Sequence, residues 1–254
     1  MSHVLVTGST DGIGRESARQ LLAAGHQVVG HARSTERAKQ VRALLPGLSD
    51  VVVGDLTSLS QTRDVAAAAT AAGPFDAVIH NAGIGGGAPE RVLTADGLER
   101  IFQVNTVAPY LLTALMPRPK RLVYLTSGLQ ERGHIEPDEL VWAWDGIQAY
   151  SDSKVCDVAL AFAVARLWPD VLSTTVDPGW IKTKLGGPRA WDEVAEGAAT
   201  QVWLATSDDD AARVTGKYLK RFEVQVANPQ ASDVDLQEGL LARLAEITGV
   251  QLPR

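Results

Sequence analysis

The stretch TGSTDGIGRESAR at positions 7–19 decides the fold of this chain. It follows the short apolar run HVLV and brings Gly8, Gly12 and Gly14 directly in front of a helical pattern. Glycines in such a turn let backbone N–H groups approach a pyrophosphate closely, and the positive end of the helix dipole adds to the attraction. A glycine-rich turn is also an ordinary strand–helix connection, so its meaning depends on the elements around it.

Outward from this turn, short β-rich runs alternate with longer helical patterns. The predicted strands cover 3–7, 27–31, 50–54, 76–80, 121–126, 171–177 and 214–219. The predicted helices cover 12–24, 35–45, 58–71, 95–115, 149–167 and 191–206, and a last amphipathic helix covers about 232–249 with Ser232 as its N-cap. This alternation predicts a doubly wound Rossmann α/β fold, in which helices cover both faces of a mainly parallel seven-stranded sheet. With no linker or repeat in between, we predict a single domain over 1–254.

Composition narrows the class of protein. Over 254 residues the formal net charge is −6, which does not favour nucleic-acid binding. No run approaches the roughly 18 apolar residues that span a bilayer, and the chain opens directly on a strand pattern, so we expect a cytoplasmic protein without a signal peptide or membrane contact. Cys156, the one cysteine, is interpreted as a packing residue, and we predict no metal site.

Five motifs, taken in order, resemble those of the short-chain dehydrogenase/reductase family. The spacing G-x-x-x-G-x-G in TGSTDGIG is similar to the family's glycine motif and differs from the commoner G-x-G-x-x-G. HNAG at 80–83 resembles its NNAG, Asn105 its helical asparagine, YSDSK at 150–154 its YxxxK, and DPGWIKT at 177–183 the segment after its sixth strand. The set covers nearly the whole chain and is specific where each motif alone is not.

The resemblance implies a nicotinamide cofactor, and the residues after the second strand favour NADP(H). NAD-binding relatives of this fold place a carboxylate there, whereas this chain has Ala32 and Arg33. A guanidinium pairs with a 2′-phosphate that a carboxylate would repel, and Arg15 could add a second positive charge. The alternative is that Arg33 is a solvated surface residue.

The resemblance also assigns further cofactor contacts. In the glycine turn they include Thr10, Asp11 and Ile13, and after the third strand Asp55 and Leu56 would flank the adenine. Asn81, Ala82 and Gly83 would pack near the adenosine ribose. At the nicotinamide end the assigned residues are Tyr150, Lys154, Pro178, Gly179, Ile181 and Thr183, of which Thr183 and the backbone near Ile181 would bond the carboxamide.

Tyr150 and Lys154 are four residues apart in a helical pattern, so they share one helix face. A neighbouring ammonium lowers the pKa of a tyrosine, and a shift of three units takes about 4 kcal/mol, which lysine and an oxidised nicotinamide together could supply. On its own this spacing is common on exposed helix faces.

The resemblance gives these residues roles. Tyr150 would exchange a proton with the substrate oxygen, Lys154 would bind the nicotinamide ribose, and Ser127 would hydrogen-bond the same substrate oxygen. Thr126 is the alternative to Ser127. Asn105 would hold a water that relays protons through Lys154, or would satisfy backbone groups as a buried asparagine.

The insertion over about 128–148 and the stretch TGKYLKRF near the end resemble the retinol-dehydrogenase-like branch. Trp142 and Trp144 in the insertion either line an apolar pocket or fix the loop to the body of the protein. Two departures are Asp177, where His or Asn is expected, and His80, which replaces the first Asn of NNAG.

The segment MPRPKR at 116–121 is short for the family. It puts the family's usual tetramer in doubt and leaves a homodimer possible.

Together these patterns predict an NADP(H)-dependent enzyme that interconverts a carbonyl and an alcohol on a fairly apolar small molecule. One alternative is a non-catalytic NADP-sensing or scaffold protein on the same fold. Another is a sugar-nucleotide epimerase or dehydratase of the extended branch, against which the glycine spacing and the short C-terminal region argue.

Overall fold

The computed structural model describes residues 1–85, 87, 89–135 and 145–254. Its centre is one eight-stranded sheet with the order β3-β2-β1-β4-β5-β6-β7-β8. The strands are β1 (His3–Val6), β2 (Gln27–Ala32), β3 (Asp50–Val53), β4 (Ala77–His80), β5 (Arg121–Leu125), β6 (Leu172–Asp177), β7 (Lys217–Lys220) and β8 (Glu223–Gln225). The first seven are parallel and β8 is antiparallel to β7, which confirms the predicted doubly wound Rossmann fold.

Helices cover both faces of the sheet. They are α1 (Gly12–Ala23), α2 (Thr35–Leu44), α3 (Leu59–Ala72), α4 (Arg100–Phe102), α5 (Ala108–Leu115), α6 (Gly146–Leu167), α7 (Val194–Thr206) and α8 (Val234–Thr248), with a π-helical turn at Gln103–Val107 that joins α4 to α5. Alternate strand residues enter two cores, because successive side chains of a strand point to opposite faces. Leu5 packs with residues of α3, α5, α6 and α8, whereas Val4 and Val6 pack with residues of α1, α2 and α7.

The prediction of seven strands was wrong by one, because β8 lacks the usual hairpin signal. Its turn consists of Arg221 (φ 49°) and Phe222 (φ 68°), both in the left-handed region that Asn-Gly normally occupies. Arg221 pairs with Asp192 at 2.7 Å and the Phe222 ring packs edge-on against Trp203, which offsets the backbone strain.

Several helices begin at other residues than predicted, because the capping side chains differ. The helix predicted from position 95 begins at Arg100, where the Glu99 carboxylate accepts from the next N–H groups. Asp145 caps α6 in the same way, so this helix starts three residues earlier than predicted. Asp233, rather than Ser232, caps α8.

The C-terminal tail packs against α5 and the end of α6. The Tyr110 hydroxyl donates to the Val250 carbonyl at 2.7 Å, and the Trp168 indole donates to the Pro253 carbonyl at 2.6 Å. Leu252 is 7% exposed within the same core cluster. Among the described residues, no helix combines the length and the apolar character needed to cross a membrane.

Candidate active site

The glycine turn lies where the order of the sheet reverses, between β1 and β4, which is the usual ligand crevice of this architecture. Gly8 (φ 64°) and Gly12 (φ 51°) adopt left-handed backbone conformations. A Cβ on Gly8 would lie 2.9 Å from the Cα of Ala82, and a Cβ on Gly14 would overlap the Gly8 carbonyl. Only glycine therefore leaves the space inside this turn free. We call the turn from Gly8 to Gly14 the glycine cradle, and the first N–H groups of α1 border it.

Asn81 fixes the end of β4 to the end of β1. Its Nδ2 donates to the carbonyl of Thr7 at 2.9 Å and to that of Gly8 at 3.3 Å. The Thr7 hydroxyl accepts from the backbone N–H groups of Asn81 and Ala82. The second Asn of the family motif thus shapes the glycine cradle from below.

His31 supports the same turn, and sequence reasoning missed it. The Gly8 N–H donates to its Nδ1 at 3.0 Å, and its Nε2 lies 2.9 Å from the Gly54 carbonyl. These partners require the neutral ring with its proton on Nε2. Burial lowers the pKa of His31, and the ring is 2% exposed. A buried neutral histidine therefore connects the turn to β2 and to the end of β3.

The cationic side chains near the glycine turn include one that the sequence analysis did not predict. Arg33 follows β2 and is exposed, at the predicted place for a 2′-phosphate. Arg37, one helical turn further on, donates to the Thr10 hydroxyl at 3.3 Å and lies 3.7 Å from Asp11. Its spacing of four residues from Arg33 is the signal that could have revealed it. Arg15 lies in the first turn of α1.

Asp11 caps α1 and carries a second ion pair. Its carboxylate accepts from the Gly12 N–H at 2.9 Å, and its Oδ2 lies 2.8 Å from Lys184 Nζ. The hydrogen bond from Lys184 is the main cause that lowers the pKa of Asp11. Ile13 follows in the first turn of α1 and packs against the core on that face of the sheet.

The segment after β6 closes over the glycine turn. Thr183 would lie 3.2 Å from a Cβ on Gly12, and its backbone N–H donates to the Ile181 carbonyl at 2.7 Å. A cleft of about 770 Å³ opens between this segment and α1, bordered by Asp11, Gly12, Arg15, Thr183 and Lys184. Tyr150, Lys154 and Ser127 are not among its lining residues, so it belongs to the glycine-turn side of the site.

Asp177, which stands where the family pattern has His or Asn, uses both of its carboxylate oxygens in local contacts. Its Oδ1 accepts from the Gly179 N–H at 2.9 Å, across Pro178, and this bond fixes the turn in which Gly179 has φ 99°. Its Oδ2 lies 2.8 Å from Lys220 Nζ, which balances the charge.

Asp55 and Leu56 lie after β3, on the far side of the turn. The Asp55 carboxylate accepts from both the N–H and the hydroxyl of Thr57, which fixes the loop. Leu56 is 4% exposed and packs in a small apolar cluster with Ala82 and Ile84. An apolar wall therefore stands beside the glycine cradle, at the predicted adenine position.

The structure brings Tyr150, Lys154 and Ser127 together at the ends of β5 and the start of α6. Lys154 Nζ donates to the Leu125 carbonyl at 2.8 Å and lies 5.7 Å from the centre of the Tyr150 ring. Thr126, the alternative to Ser127, is 3% exposed and donates to the Lys154 carbonyl at 2.7 Å. Ser127 is only half-buried; its hydroxyl oxygen accepts from the Leu129 N–H at 3.3 Å, and its O–H remains as a donor for the site.

The electrostatics of Tyr150 differ from the sequence-based expectation. Burial raises the pKa of Tyr150 above its ordinary value, although the Lys154 ammonium and the Ser127 hydroxyl act in the opposite direction. The carboxylates of Asp157 and Asp177 raise it further. Without a positive cofactor, lysine alone does not lower this pKa, so the phenol stays protonated at neutral pH.

Asn105 lies in the π-helical turn, a feature frequent at functional sites. Its Oδ1 accepts from the Ile84 N–H, and its Nδ2 donates to the Ile84 carbonyl and to the Ser153 hydroxyl. Gly83 lies beside it, since a Cβ there would be 3.4 Å from Asn105 Oδ1 and 3.7 Å from Lys154 Nζ. Asn105 thus holds the loop after β4 against α6, and the proton relay stays a prediction.

The remaining predictions concern the insertion and metals. Trp142 and Trp144 lie outside the described residues, so their two interpretations stay open. Within the described part of the chain, no three His, Cys, Asp or Glu residues are grouped so as to hold a metal ion.

The residues present fit a dinucleotide. The glycine cradle leaves room that any Cβ would fill, the N-terminus of α1 opens onto it, and Arg33 and Arg37 flank the end of β2. The apolar side chain of Leu56 borders the predicted adenine position, and the hydroxyl of Thr183 borders the predicted nicotinamide position.

Comparisons with known proteins agree with this geometry. The family model for short chain dehydrogenase matches residues 2–128. The chain is 40% identical to the short-chain dehydrogenase chyC of Penicillium rubens over all of both chains, and 28% identical to human retinol dehydrogenase 13, covering 98% of this chain and 85% of that one. A solved structure of a blue fluorescent protein from a metagenomic library, in complex with NADPH, superposes with a TM-score of 0.70 at 26% identity, covering 86% of this chain and 95% of that one. The chain therefore belongs to the short-chain dehydrogenases/reductases, an oxidoreductase family that binds a nicotinamide cofactor, and retinol dehydrogenases are among its relatives.

Proposed function

We propose that the protein reduces the carbonyl group of a fairly apolar small molecule to an alcohol, with NADPH as cofactor. The observation that carries this proposal is the position of the Tyr150 phenol beside both the Lys154 ammonium and the Ser127 hydroxyl. The glycine cradle lies at the same edge of the sheet. When bound, the cofactor supplies the hydride.

The chain's own residues have complementary tasks in this scheme. The Ser127 hydroxyl orients the carbonyl oxygen, and Tyr150 donates a proton to it as the negative charge develops. The Lys154 ammonium stabilises the phenolate that remains. Asn105 holds the loop at Gly83 in place, and the relay of a proton through water to Lys154 is part of the proposal.

In the protein without cofactor, the charge state of Tyr150 suits the reductive direction. Burial raises its pKa, so the phenol carries its proton at neutral pH and is ready to donate it. An oxidation would need the phenolate as base, which the positive nicotinamide of the oxidised cofactor would favour.

NADP(H) is supported by the charges after β2. The strand ends at Ala32 with no carboxylate to accept ribose hydroxyls, and the exposed Arg33 follows it. Arg37 brings a second guanidinium to the glycine turn. The structural relative in complex with NADPH is in keeping with this choice.

An apolar substrate is supported by side chains near the site. Trp180 is 38% exposed and Leu185 is 53% exposed on the segment after β6. Leu185 also lies over Gly85, since a Cβ there would be 3.2 Å from its Cγ. Because apolar side chains line most small-molecule sites, these two exposed side chains favour an apolar ligand.

The test is an assay of the purified protein on a panel of aldehydes and ketones, with NADPH and with NADH. Turnover is measured as the rate at which the reduced cofactor is consumed. We expect turnover with NADPH, and a fall by a factor of about 100 or more in Tyr150→Phe. The matched control is Tyr110→Phe, which removes a buried hydroxyl away from the site and should keep turnover. Full turnover in Tyr150→Phe would refute the catalytic assignment, and NADPH binding without any carbonyl reduction would favour the non-catalytic alternative.

A further inference from the structure

A carboxylate that the proposed scheme does not use lies behind the active site. Asp157 is seven residues after Tyr150 and three after Lys154 on α6, and at 3.6 residues per turn all three fall on one helix face. Its side chain is 3% exposed, and that of Lys154 is 6% exposed. Asp157 Oδ2 accepts a hydrogen bond from Lys154 Nζ at 2.8 Å. Its other oxygen, Oδ1, has no hydrogen-bond partner among the described residues.

Two of the three N–H donors of Lys154 are already used within the protein. An ammonium has three N–H donors, of which one goes to Asp157 and one to the Leu125 carbonyl. Both bonds point the ammonium at fixed partners of α6 and β5, so its position below Tyr150 is defined without a cofactor. The third donor remains for another partner.

The charged and titratable groups around the pair come from three elements. Asp157 and Tyr150 of α6 act on Lys154 directly. Tyr124 belongs to β5, and the Asp157 charge raises its pKa. Asp177 ends β6, and its charge raises the pKa of Tyr150. Cys156 is next to Asp157 on α6, and the same carboxylate raises the pKa of its thiol.

The balance of these groups decides whether Lys154 is charged. Burial lowers the pKa of Lys154, but the Asp157 carboxylate and Tyr150 together more than reverse this effect, and the net pKa lies above the ordinary value. Burial also raises the pKa of Asp157 to about 7, against the opposite influence of the Lys154 ammonium, so Asp157 is ionised in the range where Lys154 titrates. If the carboxylate were absent, burial would be the main remaining influence, and it favours the neutral amine. A neutral Lys154 would no longer stabilise a phenolate at Tyr150.

We propose that Asp157 is the positioning residue of Lys154, which it holds against β5 and keeps charged beneath Tyr150. The consequence for turnover rests on the proposed function, whereas the ion pair and its effect on Lys154 do not.

The test is the titration of Lys154 by NMR in the full chain, with lysine labelled at Cε and the resonance assigned from Lys154→Arg. In the wild type we expect a midpoint above 10.5. In Asp157→Asn, which keeps the shape of the side chain but loses its charge, the midpoint should fall by about one pH unit or more. The matched control is Asp152→Asn, which removes a half-buried carboxylate of the same helix that bonds the His134 N–H instead of a lysine. It should leave the midpoint of Lys154 unchanged.

A midpoint that is the same in Asp157→Asn and in the wild type overturns the proposal, even if the variant is less stable. So does a wild-type midpoint below 10.5, a measurement that needs no variant at position 157 to fold. With a carbonyl substrate in hand, kcat/KM of Asp157→Asn should fall as the pH rises through the lowered midpoint, while Asp152→Asn follows the wild type. Because the titration needs neither substrate nor cofactor, its result stands apart from a failure to find carbonyl reduction.

Discussion

Replacement of His80 by asparagine should make the protein less sensitive to acid. His80 ends β4, is 3% exposed, and lies 3.1 Å through its Nε2 from the Thr113 hydroxyl. Its ring stacks on Tyr124, and its Nδ1 has no hydrogen-bond partner among the described residues. Burial lowers the pKa of His80 from 6.5 to about 3, so the native protein holds the neutral ring.

The magnitude follows from proton linkage. Between pH 6.5 and 3 the unfolded chain binds a proton that the native state excludes, so the stability from His80 is complete above 6.5 and falls as the pH drops towards 3. From pH 7 to pH 5 this loss amounts to about 2 kcal/mol, and to about 5 kcal/mol when complete. His31 is shifted in the same direction and adds its own share, which a substitution at position 80 leaves in place.

The assay is urea unfolding of the wild type, His80→Asn and His80→Gln at pH 7 and at pH 5. Each variant has its own stability at pH 7, because the stacking on Tyr124 is lost, so the quantity to compare is the change between the two pH values. We expect that change to be smaller by about 2 kcal/mol in both variants, neither of which titrates in this range. An equal change in all three proteins would refute the reasoning that burial keeps His80 neutral.

Three further substitutions test the cofactor cradle and the tail. Arg33→Asp should lower the NADPH/NADH ratio of kcat/KM about tenfold or more, because a charge-assisted bond to the 2′-phosphate is lost, and an unchanged ratio would contradict the assignment. Gly14→Ala should abolish NADPH binding in a fluorescence titration, since its Cβ overlaps the Gly8 carbonyl, and normal affinity would mean that the turn can shift freely. Leu252→Ala should lower the free energy of unfolding by about 2 kcal/mol in a urea titration, whereas no loss would show that the tail contributes nothing to the core.

The features that sequence predicts well here are those carried by local patterns. The alternation of strands and helices, the glycine turn and the spacing of Tyr150 and Lys154 depend on residues close together in the chain. Helix starts shifted by a few residues, because a carboxylate such as that of Glu99 or Asp145 competes with neighbouring caps. The eighth strand was missed because Arg221 and Phe222 occupy a turn that their residue types do not indicate.

The supporting residues of the site escaped prediction for a different reason. His31 and Arg37 acquire their partners only when distant segments meet: the Gly8 turn and the Thr10 hydroxyl. Asp157 is only three residues from its partner Lys154, and what the sequence does not reveal is the burial of this pair. No motif marks such residues, since their meaning depends on tertiary contacts and on burial. The raised pKa of Tyr150 has the same origin, because the extent of burial is not written in the spacing of Tyr150 and Lys154.

The common face of Tyr150, Lys154 and Asp157 on α6 limits how the chain can change in length. One residue inserted between Lys154 and Asp157 would rotate the following side chains by about 100° around the helix and turn the carboxylate away from the ammonium, and one inserted between Tyr150 and Lys154 would turn both charged groups away from the phenol. Insertions or deletions before Asp145, which caps α6, leave the order of these three residues untouched. Length variation among relatives, and loop exchange in the laboratory, should therefore be tolerated up to the start of this helix and excluded between Tyr150 and Asp157.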